Sequence, residues 1–382
     1  MMYYISHADL PSRKAHSIQM VRMCEAFAKS GSEITLIHPS YGVNKPSTKI
    51  LSEYYGLSED ISVKTIWSLP NKQRIWKFPR SGEINLIIQL LCSTIFRHIS
   101  NNDIIYSRFL FPTLAISQFL SRIPKNQRPS LFYEQHQLSE KKVLLTSSFY
   151  DKIDGVICIA DIIKNDLINQ YNIPEEQVYV AHDGVQIDKY DGITKQSARE
   201  RLDLSESDKY VMYTGHLYPD KQVETLVEAS EEIAASTIIV GGYDEDISRI
   251  RNSTKNADHV EFTGFVEPSE IPYYQAAADV LVATVHPDAQ YYSPLKLFEY
   301  MAAGRPIVAA KFPAFEEVLE HEKNCLLVPP TDTVQMADSI NRILSDHSLR
   351  QRLAKNAKQT SYQYSWENRA RHILNFISGR NT

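Results

Sequence analysis

Short apolar runs alternate with stretches of helical periodicity along most of the 382-residue chain. Met2 to Ser6 predicts a strand. Ser12 to Lys29 predicts a helix, because Ala15, Ile18, Met20, Val21, Cys24, Phe27 and Ala28 recur every three to four residues and form one apolar face. Gly31 ends it, and Glu33 to His38 follows as the next strand. A strand–helix–strand opening is a βαβ unit, which commits the sheet to parallel pairing. Nearly continuous apolar runs at Ile104–Tyr106, Leu131–Tyr133, Gly155–Ile159 and Val178–Ala181 have the pattern of strands buried on both faces.

The polar stretch Lys189–Asp208, with Asp191-Gly192 inside it, predicts a domain boundary. A second series follows, with strands predicted at Tyr210–Tyr213, Thr237–Val240, Val260–Thr263, Val280–Ala283, Ile307–Ala309 and Cys325–Val328. The expected fold class is α/β: two Rossmann-like doubly wound domains, residues 1–190 and 191–362, facing a cleft. Ligands in such sheets bind beyond the carboxyl ends of the strands.

Composition removes several classes of function. Lys plus Arg is 41 and Asp plus Glu 46, a net charge of -5, which argues against a nucleic-acid partner. Mean hydropathy is -0.32, and no apolar run reaches the roughly 18 residues of a membrane span. Cys24, Cys92, Cys158 and Cys325 lie far apart with no C-x-x-C, as in a protein of a reducing cytosol, and Cys158 sits in a strand run where packing explains it. The start of the chain lacks a basic region followed by a long apolar one, so no secretory signal is expected. One segment stands apart. Lys72, Arg74, Trp76, Lys77, Phe78 and Arg80 interleave bases with aromatics ahead of the apolar stretch Ile84–Ile99. It reads either as a solvated loop before a core helix or as a patch for an anionic membrane surface.

The segment Tyr291–Ala310 carries the most chemistry. Ser293 can cap a helix with Pro294 at its first position, leaving the backbone N–H groups of Leu295, Lys296 and Leu297 free to meet phosphate. Lys296 adds charge, Glu299 lies one turn further where it can accept from a ribose, and Gly304 ends the helix. An ordinary capped core helix fits the same pattern. The second segment is Tyr213–Gln222, a strand that ends at Gly215 and continues into a loop with His216 and Lys221. Glycine permits close backbone approach to a ligand, and Lys221 can neutralise a diphosphate.

These two segments, in this order and separation, resemble the group 1 (family 4) retaining glycosyltransferases of GT-B fold. The resemblance extends over nearly the whole chain. It takes in the Leu10–Ser17 loop, Asp103–Arg108, Tyr133–His136, the His182–Val185 turn, Glu261–Val266, and Tyr364–Trp366 with the helix after it. It implies an acceptor-binding first domain, a nucleotide-sugar-binding second domain, and a C-terminal segment, 363–382, that crosses back to the first. It further implies that Lys221 and Lys296 contact the donor diphosphate, that Leu295 and Leu297 meet phosphate through their N–H groups, and that Glu299 holds the ribose. Phe265 and Val266 would border the base, Gly242 would let the donor approach, and His136 would stand by the reacting sugar.

The implied donor is a UDP-sugar, with a GDP-sugar as the alternative. The acceptor would be a glycan or lipid-linked saccharide of envelope polysaccharide assembly, and the location the cytoplasm or the inner membrane face. No cofactor and no metal is implied. Retention would proceed by front-face attack, the leaving phosphate taking the acceptor proton, so that no glycosidase-like carboxylate pair is needed. Closure about the Lys189–Asp208 link would exclude water.

Two positions depart from the family pattern. Tyr291 stands where an acid eight residues before the ribose glutamate is usual, with Asp288 nearby, and His216 stands where arginine is frequent. They leave room for a degenerate nucleotide-sugar-binding subunit; a nucleotide-sugar 2-epimerase, which would share the cleft and the donor site, is the other alternative. Of the 12 histidines, including His38, His98 and His372, none has metal-ligand spacing, and no G-x-S-x-G marks a hydrolase nucleophile.

Overall fold

The computed structural model describes residues 1–8, 10–12, 14–40, 47–67, 99–138, 146–289 and 295–380. The basic–aromatic segment 72–80, most of the apolar stretch behind it, and Tyr291, Ser293 and Pro294 lie outside these residues.

The chain divides into two compact units, Met1–Asp183 with Trp366–Thr382, and Gly184–Ser365. The first holds a seven-stranded sheet: β1 (Met2–Ile5), β2 (Ile34–Ser40), β3 (Ser62–Trp67), β4 (Ile104–Ser107), β5 (Ser130–Gln135), β6 (Gly155–Cys158) and β7 (Val178–Val180), in the order β3-β2-β1-β4-β5-β6-β7. The second holds a six-stranded sheet: β8 (Tyr210–Thr214), β9 (Ser236–Val240), β10 (Val260–Gly264), β11 (Val280–Ala283), β12 (Ile307–Ala310) and β13 (Leu326–Val328), in the order β10-β9-β8-β11-β12-β13. Every pairing is parallel, Tyr3 facing Thr35 and Ile105, and Met212 facing Ile238 and Leu281. Both orders reverse once, between β1 and β4 and between β8 and β11. Chain segments leaving these neighbours diverge to opposite faces and open a crevice at the carboxyl edge.

The apolar runs became strands because both faces are covered: all four residues of β11 and of β12 are buried. The edge strand β3 was not expected. From Ser62 to Thr65 exposed and half-buried residues alternate, as suits a strand covered on one side.

The boundary also differs from the expected 190/191. It falls between Asp183 and Gly184, because Val185 bridges to Ser365 and its N–H donates to the Tyr364 carbonyl at 2.8 Å. The polar Lys189–Asp208 stretch is therefore part of the second unit rather than a link. Most of its residues are exposed, but Arg199, 1% exposed, ties it to the second unit. Its guanidinium donates to the carbonyls of Ala277, Ser205, Glu206 and Asp208 and to the Asp279 carboxylate at 2.8 Å, while Asp279 also accepts from the Tyr210 N–H. A buried charge whose three nitrogens are all hydrogen-bonded and that faces a carboxylate is tolerated inside. The last segment starts its return to the first unit at Trp366, three residues after the expected 363.

Candidate active site

Residues beyond the carboxyl ends of β8, β9, β10 and β11 form a polar cluster in the second unit. β8 ends at Thr214 and the chain turns at Gly215, whose φ of +151° favours glycine. A Cβ there would lie 3.1 Å from the Tyr213 hydroxyl and 3.4 Å from Lys296 Cε, so the bare backbone makes room for the lysine. The Pro219–Lys221 turn follows, with Thr284 Oγ1 donating to the Lys221 carbonyl at 2.6 Å and the His286 N–H to the Asp220 carbonyl. The loop after β11 thus fixes the loop after β8. Gly241 and Gly242 leave β9 at positive φ; a Cβ on Gly241 would meet the Gly215 carbonyl oxygen at 2.4 Å and one on Gly242 would meet Leu217 at 2.4 Å. The room that Gly242 provides is thus taken by Leu217, and on the described residues its place is explained by packing between loops.

The Leu295–Ala303 helix supplies the charge. Its opening N–H groups, those of Leu295, Lys296 and Leu297, have no intrahelical acceptor. The Leu297 side chain is buried in the core, so that residue can offer only its backbone. Lys296 Nζ donates to Glu299 Oε2 at 2.8 Å, one helical turn on. Gln275 Nε2 donates to the same oxygen at 3.1 Å. Burial pushes the Glu299 carboxyl up; the charge of Lys296, the hydrogen bonds from Lys296 and Gln275, and the charge of Lys189 outweigh it and hold the group ionised, below its usual range. Lys221 Nζ lies 2.9 Å from Asp220. Both lysines bear on His216: its imidazole is lowered first by partial burial, then by Lys296 and Lys221, with Asp246 opposing. The histidine in the place of an arginine is thus held towards neutrality by the lysines it accompanies.

Aromatic side chains continue the cluster. The His216 ring lies parallel to Tyr218, centroids 4.9 Å apart, and Tyr243 lies parallel to Phe265 at 6.4 Å and 6°. Tyr243 and Phe265 are more than half exposed, while Val266 packs against the core. A register shift in β10 between Phe262 and Gly264 precedes this turn, and such irregularities re-aim the following side chain.

His136 belongs to a separate constellation in the first unit. It follows β5, and its Nε2–H donates to Glu134 Oε1 at 2.6 Å. Glu134 is fully buried. It also accepts from Gln19 Nε2 at 2.7 Å, from Arg369 Nη2 at 3.1 Å and from the Tyr106 hydroxyl. Burial opposes its ionisation, but the Arg369 charge, His136 and Arg108 prevail and hold it well below the usual range. Arg108 reaches the group through Gln19, donating to Gln19 Oε1 at 2.5 Å. Ligand-type atoms of Glu134, His136 and Asp183 lie within 4.8 Å of one another, yet the Arg369 guanidinium already occupies the cation position on Glu134.

The structure therefore brings Gly215, His216, Lys221, Lys296 and Glu299 together, with Phe265 and Val266 just after β10 and Leu295 and Leu297 on the helix start. His136 stands in the other unit, and Tyr291 and Ser293 lie outside the described residues. Gln275, Tyr243 and Arg369 were not anticipated. A single glutamine ahead of a run of alanines and one of three arginines on a terminal helix carry no spacing signal.

Two doubly wound parallel sheets on one chain, each with its own switch point, define the GT-B fold. The crystal structure of the Anabaena protein HepE in complex with UDP shares this fold, with a TM-score of 0.71 over 99% of both chains at 18% identity. Residues 194–360 match the family model of the group 1 glycosyl transferases. An uncharacterized glycosyltransferase of Methanocaldococcus jannaschii is 28% identical over 233 residues, 58% of each chain. A D-inositol 3-phosphate glycosyltransferase of Nocardioides is 29% identical over 244 residues, 58% of this chain and 52% of that protein. The matches thus span little more than half the length of these relatives.

Proposed function

We propose that the protein transfers a glycosyl unit from a nucleoside diphosphate sugar to an acceptor hydroxyl, with retention of anomeric configuration. The observation that carries this reading is the gathering of Lys221, Lys296 and His216 around Gly215, beside a glutamate with one oxygen committed and the other open. Cleaving the bond between sugar and diphosphate concentrates negative charge on the leaving oxygen, and preorganised cations stabilise it. Lys221, Lys296 and the start of the Leu295–Ala303 helix supply that charge. Glu299 Oε1, which makes no hydrogen bond among the described residues, takes the ribose hydroxyls. Phe265 and Tyr243 offer flat surfaces to the base. Two carboxylates of this cluster, Asp220 and Glu299, are engaged by lysines. This favours the leaving phosphate itself as the group that takes the acceptor proton.

UDP-sugars are the first donors to test, since the relative in fold was solved with UDP. The acceptor is a hydroxyl of a glycan or glycoconjugate, bound by the first unit near His136. None of the described helices is long and apolar enough to cross a membrane. Transfer to an acceptor panel, with the donor left unchanged when incubated alone, is the expected result. Epimerisation of the donor alone, or nucleotide binding with no transfer to any acceptor, would overturn it. Glu299→Gln is expected to weaken UDP binding about tenfold, since a charged acceptor of hydrogen bonds becomes neutral; unchanged affinity by calorimetry removes the ribose contact.

The state of His216 adds a pH dependence. Its free imidazole sits below the usual value of about 6.5, and a bound diphosphate raises it. Binding therefore takes up a proton. Affinity is full below the free-state value and falls as pH rises through the interval up to the bound-state value. UDP-glucose is the right probe, because its diphosphate has no second ionisation in this range. Calorimetry from about pH 5.5 to 8.5 should show the decline in the wild type and a flat profile in His216→Gln; a flat wild-type profile counts against a phosphate contact.

A further inference from the structure

Beneath Glu299 lies an amide with every polar atom engaged. Gln275, on the Ile271–Ala277 helix, is fully buried. Its Nε2 donates to Thr214 Oγ1 at 2.9 Å and to Glu299 Oε2 at 3.1 Å, and its Oε1 accepts from the Tyr190 hydroxyl at 2.6 Å. The direction of the amide is set from both ends. An ionised Glu299 only accepts, so the amine must face it. Tyr190 is itself buried, and burial with the nearby charge of Glu299 pushes its ionisation well above the usual value, so it remains a donor to Oε1. Reversing the amide would place Oε1 against a carboxylate. The chain of donation therefore runs one way, from Tyr190 through Gln275 to Glu299, and reaches Thr214 at the end of β8.

Lys296 binds the same carboxylate oxygen from the solvent side. Two donors on Oε2, one mobile and one immobile, fix the carboxylate plane and leave Oε1 to face outward. We propose that Gln275, backed by Tyr190, is a positioning residue for nucleotide recognition: it sets the Glu299 carboxylate so that Oε1 meets the paired hydroxyls of the donor ribose. Lys296 alone cannot do this, because its flexible ammonium is also needed by the phosphates. When it turns to them, Gln275 is what keeps Glu299 in register. The inference rests on the assignment of Glu299 to the ribose.

The test uses a ligand that lacks the hydroxyls in question. UDP and 2′,3′-dideoxy-UDP are titrated by calorimetry into wild type, Gln275→Leu and Tyr190→Phe, with GDP and 2′,3′-dideoxy-GDP run in parallel. Wild type should prefer the complete ribose about tenfold. Gln275→Leu should lose most of that preference while binding the dideoxy nucleotide as well as wild type does. Tyr190→Phe keeps the packing, frees the amide to reverse, and should show an intermediate preference; it carries the test if Gln275→Leu does not fold. Full preference retained in the folded variants overturns the inference and leaves the ribose assignment standing. Wild type binding both nucleotides equally overturns the assignment of Glu299 itself, and the inference with it. A structural role alone would weaken both nucleotides alike, an outcome that also overturns it.

Discussion

Lys221→Ala is expected to lower kcat about a hundredfold or more, the usual effect of deleting one group that stabilises developing negative charge. The backbone of residue 221 is held by Thr284 Oγ1 on its carbonyl, so the substitution removes the ammonium without freeing the turn. In the resting protein that ammonium sits 2.9 Å from Asp220, whose side chain is half exposed. Lys296 is likewise paired with Glu299. With His216 held towards neutrality, the cluster is closer to balanced than a count of its cations suggests. The field that favours a leaving diphosphate develops when phosphate displaces the carboxylates from the lysines. Loss of Lys221 should thus fall on kcat more than on donor KM, since the charge it meets is greatest in the transition state. Steady-state kinetics with the donor found by calorimetry decides the matter, and near-wild-type turnover would remove Lys221 from the reaction.

The second large effect is on stability. Arg369→Met is expected to destabilise the first unit by about 3–5 kcal/mol, as for a buried ion pair that loses one partner. Glu134 and Arg369 are each nearly inaccessible, and Arg369 also donates to the His182 carbonyl at 2.8 Å. Met preserves length and packing but leaves the carboxylate without its cation. Adding Glu134→Gln to this variant should restore much of the loss, because the neutral amide no longer needs the charge. Wild-type Glu134 is held well below its ordinary value, so its contribution is full above the unfolded value of about 4.3 and is lost as pH falls through the folded one. Arg369→Met should lack this acid-dependent term. Denaturant unfolding of both variants over pH tests it; a single substitution costing less than about 1 kcal/mol would show that the pair is not coupled as described.

The parallel strands were legible because burial on both faces leaves an uninterrupted apolar run, as in Val280–Ala283, where expectation and structure coincide. β3 was not, because a strand at a sheet edge keeps polar residues on its open face. The Lys189–Asp208 stretch was misread because most of it is exposed, as a link would be, while one buried residue, Arg199, gathers the carbonyls of three of its residues and ties it to the second unit. Lys221, Lys296 and Glu299 were singled out by their order along two motifs, and the structure brings them to one cluster. Gln275 was silent, since its meaning depends on Tyr190, 85 positions away, and on a carboxylate 24 positions further along.

Glu134 receives its cation from a helix that begins only at Trp366, whereas the second unit is one uninterrupted stretch, Gly184–Ser365. On the ribosome these are different situations. The second unit has all its strands once residue 365 has emerged, and it can fold while synthesis continues. The first has its sheet long before, but Glu134 lacks its arginine partner until residue 369 arrives. Nascent chains arrested before that point should hold the earlier half less firmly closed than the finished protein does.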